Sequence, residues 1–229
     1  RGVDAAIAKF AEHTHAGLHL EKLNNAKDPR IRTIRIDQFW RGVVLAPDKG
    51  DVYCLLKVMP HDDAIAWAKS RKFSVNQAIG VLEVRDQVAL EELSPALEKA
   101  AERSPSRLLE HVFDKDLIRL GIDEELIPLV RLLTEDAHLL ALEKLLPEAQ
   151  YIALLALAQG MNPQQAWEEV AKTLVVDEKP AEVDPDDLVT AMRRTPGSVV
   201  FVNGPEELRD ILAHPFDTWR VFLHPIQRK

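Results

Sequence analysis

Cysteine is nearly absent: Cys54 is the only one in 229 residues. One thiol cannot close an internal disulfide, which excludes a disulfide-stapled secreted scaffold and fits a reducing, cytoplasmic setting. Cys54 falls inside a predicted strand, where a small buried hydrophobe is expected rather than a nucleophile. Long apolar runs are also missing, so no membrane-spanning helix is expected, and no signal peptide is visible. The chain opens at Arg1 without a Met, as a trimmed piece of a longer protein would. Neither G-x4-G-K-[ST] nor G-x-G-x-x-G occurs, and G-x-S-x-G is absent as well. Nucleotide turnover by a recognised phosphate loop is therefore excluded for these residues, as is a hydrolase built on a nucleophile elbow.

What is present suits a globular protein of one large or two small domains, with 46% hydrophobic residues and a formal net charge of −8. The charge is uneven. Residues 1–83 carry 13 Lys and Arg against 10 Asp and Glu, whereas residues 84–229 carry 16 against 27. A mildly basic head on an acidic body makes the head the part suited to meet nucleic acid.

The organising stretch is 31–69. Ile31–Ile36 is rich in β-branched residues and reads as a strand. Asp37-Gln38 turns into a second strand, Phe39–Leu45. Pro47-Asp48-Lys49-Gly50 is a strong hairpin turn, since Pro presets φ and Gly accepts positive φ. Asp51–Val58 is a third strand. Pro60-His61-Asp62-Asp63 starts a helix through Arg71, with acidic residues where the macrodipole favours them. Ala64, Ile65 and Ala68 share a face of it, beside Trp67, and should pack on the sheet. Before the meander, helices are expected over Val3–Glu12 and about Leu18–Asn24. After it, Phe73–Val75 and Gly80–Val84 suggest a short hairpin around Asn76-Gln77.

From Asp86 the composition turns to Leu, Ala and Glu. Leu90, Leu93 and Leu97 begin a helical region interrupted at Ser104-Pro105. Asp114 is expected to cap a helix ending at Leu120-Gly121, with Gly at C′. Asp123 should cap the next, limited by Pro128, and Thr134 one running to Leu145. Pro147 should sit in the first turn of a helix ending near Gly160. Asn162-Pro163-Gln164-Gln165 holds a cap, a first-turn Pro and a capping-box Gln in order. Asp177–Pro185 reads as an acidic linker. Asp186–Arg194 is expected to be helical, Ser198–Val202 a strand, and Gly204–Ala213 a turn and helix.

Three groups could carry chemistry. His13, His15 and His19 have spacings that resemble a metal site, but Gly17 breaks the helix and no Cys is near, so they read as solvated helix-end histidines. His61 beside Asp62 and Asp63 could do acid–base work, although an ordinary helix N-terminus explains the same residues. Arg30, Arg32, Arg35 and Arg41 could hold phosphates. Alternation puts Arg32 and Arg35 on opposite strand faces, so they form no single patch, and structural pairing with Asp37, Asp48 or Asp51 is the competing expectation.

Two stretches resemble known families. Leu20-Glu21-Lys22-Leu23, Arg32–Ile36, Trp40–Val44, Tyr53–Val58 and His61–Ile65 together resemble the RelE/ParE toxin superfamily, whose RelE members cut mRNA on the ribosome and whose ParE members poison gyrase. That resemblance implies catalytic candidates Arg35, Arg41 and His61. The family's His-Arg pair is His61-Asp62 here, and Ile65 or Trp67 stands near its helix tyrosine. An acid in that place repels phosphate, so the domain reads as degenerate. Trp219–Arg228 resembles the segment before the ATP-binding loop of UvrD/Rep-like superfamily 1 DNA helicases. There a glutamine reads adenine, which implies Gln227 as the adenine contact and Leu223 as its apolar anchor. His61–Ala68 and Asp116–Ile122 are also similar to runs in helicases that carry a toxin-like head.

The expected architecture is α+β: a RelE/ParE-like antiparallel sheet with packed helices over 1–84, and a helical domain over 85–176. A linker over 177–187 and a short α/β segment over 188–229 follow, the latter leading into a helicase core. The resemblance implies the N-terminal non-motor region of an ATP-dependent DNA helicase. ATP and Mg would belong to the full-length protein and no cofactor to this part. DNA would be reached through the full-length motor, with a protein or nucleic-acid partner at the toxin-like head and no membrane partner. The competing readings are an active ribosome-dependent endoribonuclease and a non-catalytic binding module.

Overall fold

A computed structural model describes residues 20–36, 38–46, 54–174 and 183–195. The described residues divide after Ser70 into two compact units, the second running to Ala191. The architecture is mixed α+β.

The first unit holds a four-stranded antiparallel sheet in the order β1 (Glu21–Lys22), β2 (Ile31–Arg35), β3 (Trp40–Leu45) and β4 (Cys54–Pro60), followed by α1 (His61–Ser70). The helix expected over 18–24 is not formed in its described part. Glu21 and Lys22 pair with Thr33 and Arg32 as a short edge strand, so ladder pairing overrides local propensity. Asn25 then adopts φ 62°, a left-handed conformation that turns the chain toward β2. Strands β2 and β3 fall within a residue of expectation. The register shifts between Val43 and Val44 along β4, the signature of an extra residue in one strand. Ile31, Ile34, Val43, Val44 and Leu45 are buried. Asp62 and Asp63 open α1 and Lys69 closes it. Ala64 and Ala68 are buried as this helix packs against β2, β3 and β4, a spacing that only small side chains allow. Cys54 is free and buried, and burial pushes its thiol up to about 11, which makes it a poor nucleophile.

The second unit begins with a hairpin of β5 (Arg71–Val75) and β6 (Leu82–Asp86), as the sequence suggested. It continues with α2 (Gln87–Arg103), α3 (Asp114–Arg119), a 3-10 turn (Glu124–Leu126), α4 (Ile127–Val130), α5 (Asp136–Ala141), α6 (Glu148–Ala158) and α7 (Pro163–Leu174), and its end at Ala191 falls within α8 (Leu188–Arg194). One apolar cluster runs through these elements from Leu90 and Leu97 in α2 to Ala166 and Val170 in α7. Helix α6 is apolar almost all round, and its buried residues lie on several sides, the pattern of a central helix.

Helix starts follow their caps, with four corrections, one of them at Pro147, which precedes α6 as its N-cap instead of sitting in its first turn. Asp114 is not a cap but the first helical residue of α3; Phe113 precedes it, and Arg131 draws the Asp114 carboxylate away. Thr134 caps nothing. Its N–H and hydroxyl both meet His138 Nδ1, and α5 starts at Asp136 and ends at Ala141, short of Leu145. Helix α8 begins at Leu188 rather than Asp186, because the Asp187 carboxylate accepts the Thr190 N–H. Two signals hold as expected. The Asp123 carboxylate accepts the Glu125 N–H. Asn162 and Gln165 exchange side-chain to backbone hydrogen bonds, each 3.0 Å, as a closed capping box. The helix expected over Val3–Glu12, His13, His15 and His19, the turn at 47–50, most of the linker, and everything after Thr195 lie outside the described residues. Among the described residues, no helix is long and apolar enough to cross a membrane.

Candidate nucleic-acid interface and a buried carboxylate network

In the first unit, register decides which arginines share a face. Arg35 pairs directly with Arg41 across β2 and β3, and Arg41 pairs with Met59 on β4. Cross-strand partners point to the same side of a sheet, so Arg35 and Arg41 stand together at one end of one face. Thr33 lies on that face too, one step inward and paired with Val43. Its buried hydroxyl finds no hydrogen-bond partner among the described residues. Arg35 is exposed, whereas Arg41 is buried to 9% and its Nη1 donates to the Trp40 carbonyl at 3.1 Å. The other two arginines go elsewhere. Arg30 clamps the buried Asp28 carboxylate through Nε and Nη2. Arg32 lies on the opposite face and donates to the Pro29 and Ile31 carbonyls.

His61 comes to the same end of the sheet. Its N–H donates to the Phe39 carbonyl at 2.8 Å, just ahead of β3, and Phe39 itself is 70% exposed. The His61 ring lies 2.9 Å from the Asp62 carboxylate, both side chains open to solvent. Arg35 and Arg41 are thus register partners, and the His61 backbone joins the same end of the sheet. Leu223 and Gln227 lie outside the described residues. Among the described residues, no group of three His, Cys, Asp or Glu could hold a metal ion.

The second unit holds a site that sequence reasoning missed. Along β6, Leu82 and Val84 look inward by hydrophobicity and Glu83 and Arg85 look outward. The structure inverts this: Val84 is 38% exposed, Glu83 6% and Arg85 1%. Register places Ser74 beside Glu83 and Lys72 beside Arg85, so β6 buries its polar residues, whereas β5 buries Phe73 and Val75 of the other face and leaves Lys72 and Ser74 half-buried. Glu83 Oε1 accepts from Asn76 Nδ2 at 2.9 Å and Oε2 from Gln150 Nε2 at 2.6 Å. Burial drives the Glu83 carboxyl up to about 7. The two amide donors and the Arg85 charge oppose this, while Asp123 reinforces it. Arg85 donates through Nη1 to Asp123, through Nη2 to Glu125 at 2.5 Å and through Nε to Gln87 at 2.7 Å. Lys72 closes on Glu125 from the other side. Burial also acts on Asp123, but Arg85, by charge and hydrogen bond, more than offsets it and holds that carboxyl below its usual range. The signal that could have found this network is Gln150, a lone amide in an otherwise apolar helix.

No protein-family model matches the chain, nor does any curated protein or solved structure.

Proposed function

We propose that this chain is the N-terminal, non-motor region of a UvrD/Rep-like DNA helicase, and that its sheet unit is a toxin-like module that grips nucleic-acid phosphates without cutting them. The helicase half of the reading rests on the resemblance of Trp219–Arg228, His61–Ala68 and Asp116–Ile122. The gripping half rests on one observation: Arg35 and Arg41 are register partners on a single sheet face. Guanidinium groups suit phosphate oxygens, and Arg35 is the exposed member of the pair. The absence of cutting rests on Asp62, an acid where the resemblance implies a phosphate-holding Arg.

The test is a titration of single-stranded DNA against the full chain at several salt concentrations. Binding should weaken with salt, and Arg35→Ala should lower the log–log slope by roughly one. Binding that ignores both salt and Arg35 would overturn the module. The chain should hydrolyse ATP only at background, because the phosphate loop is absent and Gln227 alone could contact adenine but not turn ATP over. Steady turnover would remove the non-motor reading. One arrangement favours the endoribonuclease alternative, namely that the His61 backbone joins the sheet at the end where Arg35 and Arg41 pair. Growth arrest on expression, relieved by Arg41→Ala together with intact mRNA, would establish it in place of the gripping module.

A further inference from the structure

The buried network of the second unit contains a choice between two hydrogen-bond patterns. Both amides that hold Glu83 are themselves oriented by backbone N–H groups, which can only donate. Asn76 Oδ1 accepts from Ala78 N at 2.9 Å and from Ile79 N at 3.3 Å. Gln150 Oε1 accepts from Asp123 N at 3.2 Å. Each amide must therefore turn its NH2 toward Glu83, and a carboxylate accepts both. A protonated Glu83 has one hydroxyl that must donate, and both positions around it are already occupied by donors. One amide has to rotate to present its oxygen.

The two amides are not equivalent. Turning Asn76 forfeits two backbone bonds and has to take place in the tight space beside Gly121, where a built Cβ would sit 2.2 Å from Oδ1 and 2.6 Å from Nδ2. Turning Gln150 forfeits one backbone bond, of 3.2 Å. We propose that Glu83 and Gln150 form a proton-operated clasp between the hairpin and helix α6: ionised Glu83 closes it, and protonation turns the Gln150 amide and releases the Asp123 N–H. The released segment carries the Asp123 cap of the 3-10 turn and the carboxylate paired with Arg85, so the effect spreads to the start of Glu124–Leu126. The charged groups bearing on Glu83 are Asp123, which favours its proton, and Arg85 on its own strand, which disfavours it. Lys72 and Glu125 act only through Arg85. Burial brings the changeover near neutral pH.

The experiment follows the Glu83 carboxyl carbon, the Gln150 side-chain amide and the Asp123 backbone amide of the full chain by NMR from about pH 5 to about pH 9. All three should move with one midpoint, the Asn76 amide should stay still, and protection of the Asp123 N–H from exchange should fall roughly fivefold on the acid side. In Glu83→Gln the neutral pattern should persist at every pH. In Gln150→Met Glu83 should still titrate while Asp123 no longer follows it. Independent midpoints, a titrating Asn76 amide, or an Asp123 response that survives Gln150→Met would overturn the clasp. The wild-type titration decides the question even if either variant fails to fold.

Discussion

Gly121 and Gly160 both follow helices and both adopt positive φ, 88° and 85°, yet their surroundings differ. Gly160 has open space around it, so Gly160→Ala should cost only the left-handed penalty, roughly 1 kcal/mol. Gly121 abuts the Asn76 amide, so Gly121→Ala adds a clash with a buried, hydrogen-bonded group and should cost roughly 3 kcal/mol or more by urea unfolding. Equal costs would mean that Asn76 yields freely. Glu83 makes a second prediction at this scale. Its folded carboxyl is raised to about 7, above the ordinary 4.5. Its contribution to stability is therefore fully present below about pH 4.5 and is lost as pH rises through about 7. Glu83→Gln removes that dependence. The stability difference between wild type and variant should shift against the wild type across this window and flatten above it. A difference that is constant with pH would show that Glu83 titrates alike in folded and unfolded chains.

At the scale of elements, caps decide where helices begin. The reciprocal bonds between Asn162 and Gln165 secure the start of α7, which packs on α6 through Ala166 and Val170. Asn162→Ala should cost roughly 1 kcal/mol, and unchanged unfolding would mean that packing alone sets this terminus. This motif was legible because every partner lies within four residues. The same locality made the β2–β3 meander, α1 and the β5–β6 hairpin legible, along with the Gly ends of α3 and α6. Elements whose cause is distant were not. The Glu21–Lys22 strand exists because Thr33 and Arg32 pair with it. Asp114 and Thr134 look like caps, but Arg131 and His138 occupy their side chains. The inward turn of Glu83 and Arg85 follows from Gln150 and Asp123, far along the chain. Alternation in the strand alone assigns those faces the wrong way round. The candidate site shows the same division. The types Arg35, Arg41 and His61 could be picked out in sequence, but the pairing of the two arginines depends on the register of β2 and β3, and the place of His61 at that end of the sheet on its backbone bond to Phe39.

For the whole molecule, two units carry two kinds of polar surface. In the sheet unit the arginine pair includes an exposed member, so Arg35→Ala should leave the melting temperature nearly unchanged while weakening low-salt DNA binding several-fold. A large drop in stability would assign Arg35 a structural role instead. In the helical unit, charge is turned inward, and this has a consequence in time as well as in energy. Gln150 lies 67 positions from Glu83, and Arg85 reaches across 38 and 40 positions to Asp123 and Glu125. Such closures carry a large chain-entropy cost and yield nothing until the hairpin and α6 are already in place. The network should therefore set after the rate-limiting barrier to folding. Glu83→Gln would leave refolding rates nearly untouched and act on the unfolding arm of the chevron. A slowed refolding arm would instead put the clasp in the folding nucleus. If it sets late, proton uptake at Glu83 governs how long a molecule persists in its native state rather than how fast it arrives there.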